Sequence, residues 1–105
     1  EVHDRYELEM ALDTPTRIVG INNRNLNDFT INTRVCLDLV GLAGDKVQCI
    51  AESGIRTAGD MSILEKHGFR AALVGEALVT APDIAAKVRE LAEYWVDEVG
   101  IKDEE

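Results

Sequence analysis

Three apolar runs end on residues that can do chemistry. Asn22 follows Arg17-Ile-Val-Gly-Ile, Glu52-Ser53-Gly54 follows Lys46-Val-Gln-Cys-Ile-Ala, and Gly75-Glu76 follows Ala71-Ala-Leu-Val. A carboxylate at position 52 can accept a hydrogen bond or a proton, and the Asn22 amide can orient a substrate beside it. Ser53-Gly54 and Gly75-Glu76 predict a phosphate cradle: glycine lets an oxyanion approach the backbone, and a short helix starting at residue 76 adds its positive end. The Glu76 carboxylate would repel a dianion within about 4 Å. That conflict disappears when only its backbone N–H faces the ligand. Arg24, two residues past a tip, can pair with Glu52 or with a substrate carboxylate. Plainer alternatives stay open: the two glycines can simply serve tight turns, and each polar side chain can make a structural hydrogen bond.

An all-apolar run suits a parallel strand covered on both faces, and the carboxyl ends of such strands carry the sites of α/β sheets and barrels. Strands are therefore expected at 17–22, 46–52 and 71–75. Helical spacing lies between them. At 5–12, Leu8, Met10, Ala11 and Leu12 form an apolar stripe behind an Asp4 N-cap. At 33–40, Cys36, Leu39 and Val40 fall at i, i+3, i+4, with Gly41 as the expected stop. The 58–67 segment follows Thr57, whose spacing to Asp60 is close to a capping box, and Gly68 ends it. The last helix, 82–97, has Pro82 in its first turn and Ile84, Val88, Leu91, Ala92, Trp95 and Val99 on one face, after a short turn at 76–79. Residues 98–105 read as a solvated acidic tail. Strict alternation of this kind forces parallel strands joined by right-handed crossovers.

The chain has 105 residues, 46% hydrophobic and 30% charged, enough for one modest core. A closed eight-stranded barrel takes roughly 250 residues. The sequence opens on Glu1, and Glu1-Val2-His3-Asp4 reads as the end of a strand running into a helix, so a fragment is expected. Twenty acidic against eleven basic residues give a formal charge of −9, which argues against nucleic acid or an anionic membrane as partner. A small anionic ligand stays compatible, because distant exposed charges are screened. Cys36 and Cys49 are too few for a disulfide framework, and Cys49 sits in an apolar strand as a small hydrophobe. A reducing cytoplasm follows. No run nears the roughly 20 apolar residues of a membrane span, no leader pattern is present, and no Cys/His cluster has metal-ligand spacing. His67 suits a helix C-terminus; His3 lies closer to a rim.

Four segments in register, Glu-Val-His-Asp at 1–4, Gly-Ile-Asn-Asn-Arg-Asn-Leu at 20–26, Ala-Glu-Ser-Gly-Ile-Arg at 51–56 and Leu-Val-Gly-Glu-Ala-Leu at 73–78, resemble indole-3-glycerol phosphate synthase. The order fits the C-terminal portion of its (β/α)8 TIM barrel, from the end of strand five through helix eight. The resemblance implies ring closure and decarboxylation of 1-(2-carboxyphenylamino)-1-deoxyribulose 5-phosphate to indole-3-glycerol phosphate, in tryptophan biosynthesis, without cofactor or metal. It makes Glu1 an acid/base carboxylate, has Asn22 orient substrate and puts Glu52 beside the reacting centre. Ser53, Gly54, Gly75 and Glu76 would hold the phosphate, Leu26 and Leu73 would wall an aromatic pocket, and Arg24 would support Glu52 or the substrate.

The family's general-acid lysine lies on an earlier strand. Here the lysines are Lys46, Lys66, Lys87 and Lys102, none at a strand's C-terminal tip. The chain alone is therefore expected to be inactive without the N-terminal half of the barrel. The alternatives are a phosphoribosylanthranilate isomerase-like barrel, against which Asn22-Asn-Arg-Asn-Leu26 counts, and a non-catalytic half-barrel that binds phosphate or a partner.

Overall fold

A computed structural model describes residues 1–99, with side chains through residue 92. Helix and strand alternate: α1 (Arg5–Leu12), β1 (Ile18–Asn22), α2 (Arg34–Ala43), β2 (Gln48–Glu52), α3 (Ala58–Lys66), β3 (Ala71–Leu73), α4 (Glu76–Val79) and α5 (Ile84–Val99). The strands form one parallel sheet in the order β1-β2-β3. Its register puts Asn22 beside Glu52 and Glu52 beside Leu73, so the three tips form one row. Val2 forms a parallel bridge to Ile21, its N–H donating to Gly20 O at 2.8 Å and its carbonyl accepting from Asn22 N–H at 2.9 Å.

Alternation along the strands decides which face is buried. Val19, Ile21, Cys49 and Ala51 point into the helix layer, where they meet Leu8, Cys36, Leu39, Leu64 and Phe69 in one cluster. The opposite face is open, with Ile18 57% and Leu73 64% exposed. This corrects the expectation of strands covered on both faces: the described residues supply a layer of helices to one side only. Burial also raises the thiol pKa of both cysteines, that of Cys36 to about 11, so they behave as core groups.

Local chemistry sets the element ends. Asp4 Oδ1 accepts from Glu7 N–H at 2.8 Å, capping α1, although Met10 faces solvent and only Leu8 is fully buried there. Thr57 and Asp60 form a reciprocal capping box on α3. Helix α2 runs through Gly41 and stops at Gly44, whose φ of 59° supplies the left-handed turn, because Ala43 still packs into the core. The stop at Gly41 is thus corrected by three residues. Strand β3 ends at Leu73 rather than at 75, since Gly75 already caps α4. Asp83 Oδ1 accepts from Ala86 N–H at 3.0 Å and starts α5, which leaves Pro82 outside its first turn. On α5, Leu91 is buried while Ile84, Val88 and Ala92 are exposed, because this helix packs chiefly on α3 and α4. The side chains of Trp95 and Val99, and residues 100–105 of the expected acidic tail, lie outside the described residues.

Candidate functional site

At the tip row, a carboxyl group lies across a glycine. A Cβ at Gly20 would collide with the Glu52 carboxylate, so the missing side chain makes room for Glu52 to fold back over β1. Desolvation in that position pushes the Glu52 pKa up to about 7, aided by a hydrogen bond with Glu1 and by its charge. The same hydrogen bond lowers the Glu1 pKa. The two carboxyls therefore titrate as a pair, with Glu52 the member that keeps its proton to higher pH. Asn22 Nδ2 lies 3.5 Å from Glu1 Oε1, while its Oδ1 accepts from Ser53 Oγ at 2.8 Å and from Arg24 N–H at 2.9 Å. His3 Nε2 is 3.3 Å from Glu1 Oε1 and Nδ1 is 3.1 Å from Glu7 Oε1, so His3 stands between these two carboxylates. His67, exposed, sits at the C-cap of α3 with Nδ1 2.8 Å from Ile63 O.

Beside the carboxyl pair, the loops after β2 and β3 open on one cavity of about 400 Å³. Ser53 and Gly54 turn with φ of 72° and 83°. For serine this is a strained conformation costing of order 1 kcal/mol, held here by the bond to Asn22. Gly54 also has no room for a side chain, since a Cβ would stand 2.9 Å from methyl carbons of Ile31 and Thr33. Gly75 differs: its φ is −125° and a Cβ would meet nothing within 4 Å. A tight turn therefore explains the glycine at 54 but not at 75. Among the described residues, the N–H groups of Gly54, Gly75 and Glu76 donate to no protein acceptor. Three free donors thus border one cavity, as an anion site requires.

The Glu76 carboxylate turns to the cations, 3.2 Å from Arg56 and 3.7 Å from Arg24. Arg24 also donates to Phe29 O at 3.0 Å. Of the two expected partners of Arg24, the Glu52 pairing is corrected: the structure sets Arg24 against Glu76 rather than Glu52. Glu52, whose raised pKa leaves it only partly ionised near neutrality, offers a weaker attraction than an exposed carboxylate. Seven of the ten predicted site residues, Arg24, Glu52, Ser53, Gly54, Leu73, Gly75 and Glu76, line this cavity. Leu26 lies elsewhere, on a second cavity of about 540 Å³ that shares Arg24 and takes in Asn22. Leu26 and Leu73, read together as one wall, are 56% and 64% exposed and face different cavities.

One residue escaped the sequence reading. Asn23 is the buried polar residue among those described, 4% exposed, and every polar group it has is engaged. Its N–H donates to Glu52 O and its carbonyl accepts from Asn32 N–H; Oδ1 accepts from Cys36 N–H and Nδ2 donates to Ser53 O, all at 2.9–3.0 Å. Its one signal in the sequence is an asparagine directly after the strand tip at Asn22. No group of three or more His, Cys, Asp or Glu among the described residues could hold a metal ion, and no lysine lines either cavity.

The family model of indole-3-glycerol phosphate synthase matches residues 1–91. The chain belongs to that family. It is 50% identical over 91 residues to the indole-3-glycerol phosphate synthase of Dehalococcoides mccartyi, a match covering 87% of this chain and 35% of that protein. The synthase of Roseiflexus castenholzii is 47% identical over 93 residues, with 87% and 35% covered. That of Pelodictyon phaeoclathratiforme is 38% identical over 84 residues, with 80% and 33% covered. The chain thus spans about a third of the length of the curated relatives it matches. As a member of the indole-3-glycerol phosphate synthase family it is read as part of a (β/α)8 barrel, which the three parallel strands alternating with helices fit. The isomerase-like alternative is set aside by the same match.

Proposed function

We propose that this chain is the carboxyl-terminal portion of an indole-3-glycerol phosphate synthase, closing the ring of 1-(2-carboxyphenylamino)-1-deoxyribulose 5-phosphate with loss of carbon dioxide and water. The observation that carries this reading is the meeting of two features at one mouth: free backbone N–H groups around a cavity, and a carboxyl pair that holds a proton near neutral pH. The N–H groups of Gly54, Gly75 and Glu76, with Ser53 beside them, receive the phosphate. The arginines Arg24 and Arg56 offset the negative charge of Glu76 there. Glu52 and Glu1 move protons as the ring forms and water leaves, and Asn22 orients the sugar beside them. Leu26 and Leu73 contribute apolar surface for the aromatic ring when the mouth is complete. No cofactor or metal is needed for this chemistry, and no nucleic acid or membrane takes part. The setting is the cytoplasm, as for other biosynthetic steps on phosphorylated small molecules.

The general-acid lysine that the resemblance implies lies on an earlier strand, and no lysine lines the mouth here, so the partner is the N-terminal half of the barrel. The test mixes this polypeptide with the N-terminal half of the Dehalococcoides mccartyi synthase and follows indole-3-glycerol phosphate formation. Turnover is expected from the mixture and not from either half. Glu52→Gln should lower it about a hundredfold, the usual contribution of a positioned proton-transfer group. A folded complex without turnover, or full activity in Glu52→Gln, overturns the reading. Phosphate binding without turnover would select the non-catalytic half-barrel instead.

A further inference from the structure

The geometry points to Asn23 as a positioning residue that aims the Gly54 N–H into the cavity by holding the peptide plane between Ser53 and Gly54. The inference rests on the phosphate-cradle reading above.

The argument starts from the trans peptide. Among the described residues no peptide bond is cis, and in a trans peptide the C=O and the following N–H point in opposite directions. Ser53 O is drawn to Asn23 Nδ2 at 2.9 Å, toward the buried side where Asn23 sits. The Gly54 N–H must then point the other way, and it has no protein acceptor. Gly54 lines the 400 Å³ cavity. One buried amide thus fixes the direction of an exposed donor.

The orientation of the Asn23 amide is itself determined. Cys36 N–H, 2.9 Å away, can only donate, so the atom facing it is Oδ1; the Ser53 carbonyl can only accept, so the atom facing it is Nδ2. The main chain of Asn23 adds the bond from its N–H to Glu52 O, so both carbonyls leading into the turn end on this one residue. Ser53, at positive φ, needs such outside support, because a strained turn persists only when its surroundings over-determine it. The loops after β1 and β2 are coupled through Asn23, whereas the loop after β3, which carries Gly75 and Glu76, makes no hydrogen bond to it.

That asymmetry gives the test. Amide resonances of the polypeptide, paired with its N-terminal half where that is needed for a monodisperse sample, are followed during titration with inorganic phosphate against chloride at matched ionic strength. In the unaltered chain the Gly54, Gly75 and Glu76 amides should all shift. Asn23→Asp keeps the acceptor for Cys36 N–H but removes the donor to Ser53 O. The Gly54 response should disappear while those of Gly75 and Glu76 persist, with about tenfold weaker phosphate binding, as for loss of one bond to a charged acceptor. An undiminished Gly54 response in Asn23→Asp overturns the inference; so does equal loss at all three amides, which would mark Asn23 as structural only. Should Asn23→Asp fail to fold, the unaltered chain decides. The Asn23 side-chain NH₂ resonances must move together with the Gly54 amide, and their standing still while Gly54 shifts overturns the inference as well. If no amide of the unaltered chain responds, the cradle itself is refuted, a distinct outcome that removes the basis for both readings.

Discussion

Burial across Gly20 and the contact with Glu1 hold the Glu52 pKa near 7, above the ordinary 4.5 of a glutamate. A raised carboxyl pKa means that the folded state binds its proton more tightly than the unfolded chain. The stability this contributes is complete below pH 4.5 and is lost as pH rises through about 7. Glu1, lowered by the same contact, contributes in the opposite sense: its share is present above 4.5 and is lost as pH falls through its folded value. Glu52→Gln should therefore stabilise the chain at pH 8 and have little effect at pH 5, read from urea unfolding at the two values. A Glu52→Gln chain that gains nothing at the higher pH would show that the carboxyl is not held neutral. The two cradle glycines separate fold from ligand. Gly54→Ala forces a side chain into positive φ and against Ile31 and Thr33, and should cost about 1–3 kcal/mol of stability. Gly75→Ala, with open space and φ of −125°, should leave stability within about 0.5 kcal/mol while its methyl group weakens phosphate binding. Thermal unfolding and phosphate titration of both variants check the contrast.

Short-range chemistry governs the elements, and it is the part of the structure most legible in the sequence. Asp4 before α1 and the Thr57/Asp60 pair on α3 act through side chain-to-backbone bonds within four residues, so the letters alone point to them. Thr57→Ala should cost about 1 kcal/mol, measured by urea unfolding, with the loss confined to amides of the first turn of α3 in hydrogen exchange. Where an outcome depends on distant packing, the letters mislead. Gly41 is as good a helix stop as Gly44 by composition, and only the fit of Ala43 into the core carries the helix past it. Ile84 and Val88 have the right spacing for a buried stripe, but the sheet gives them nothing to pack against. At the site, the tips Asn22 and Glu52 were legible because each ends an apolar run, and the register that makes them neighbours followed from parallel pairing. The role of Asn23 was not, because its four bonds reach residues 32, 36, 52 and 53, a set that no local pattern encodes.

At the scale of the whole molecule, the layer of helices and the open sheet face set opposing tendencies. The face that carries Ile18 and Leu73, 57% and 64% exposed, is an apolar surface of the kind that drives association, and β3 pairs on one side only among the described residues. Association with a second copy brings two chains of charge −9 together, and that repulsion opposes it. Added salt shortens the range of the repulsion to roughly 3 Å at 1 M, while leaving apolar burial intact. Self-association of the isolated polypeptide should therefore rise with ionic strength, seen as a growing sedimentation coefficient between low and high salt. Its thermal midpoint should climb with protein concentration, because coupling to assembly makes stability depend on mass action. If the proposed partner is right, the N-terminal half of a relative, offered in equal amount, should cover the same face and compete with self-association, returning a species of one-to-one stoichiometry. A monodisperse monomer with a sharp unfolding transition at the same temperature across concentrations and salts would instead mean that the helix layer alone carries enough buried surface, and that the open face needs no cover.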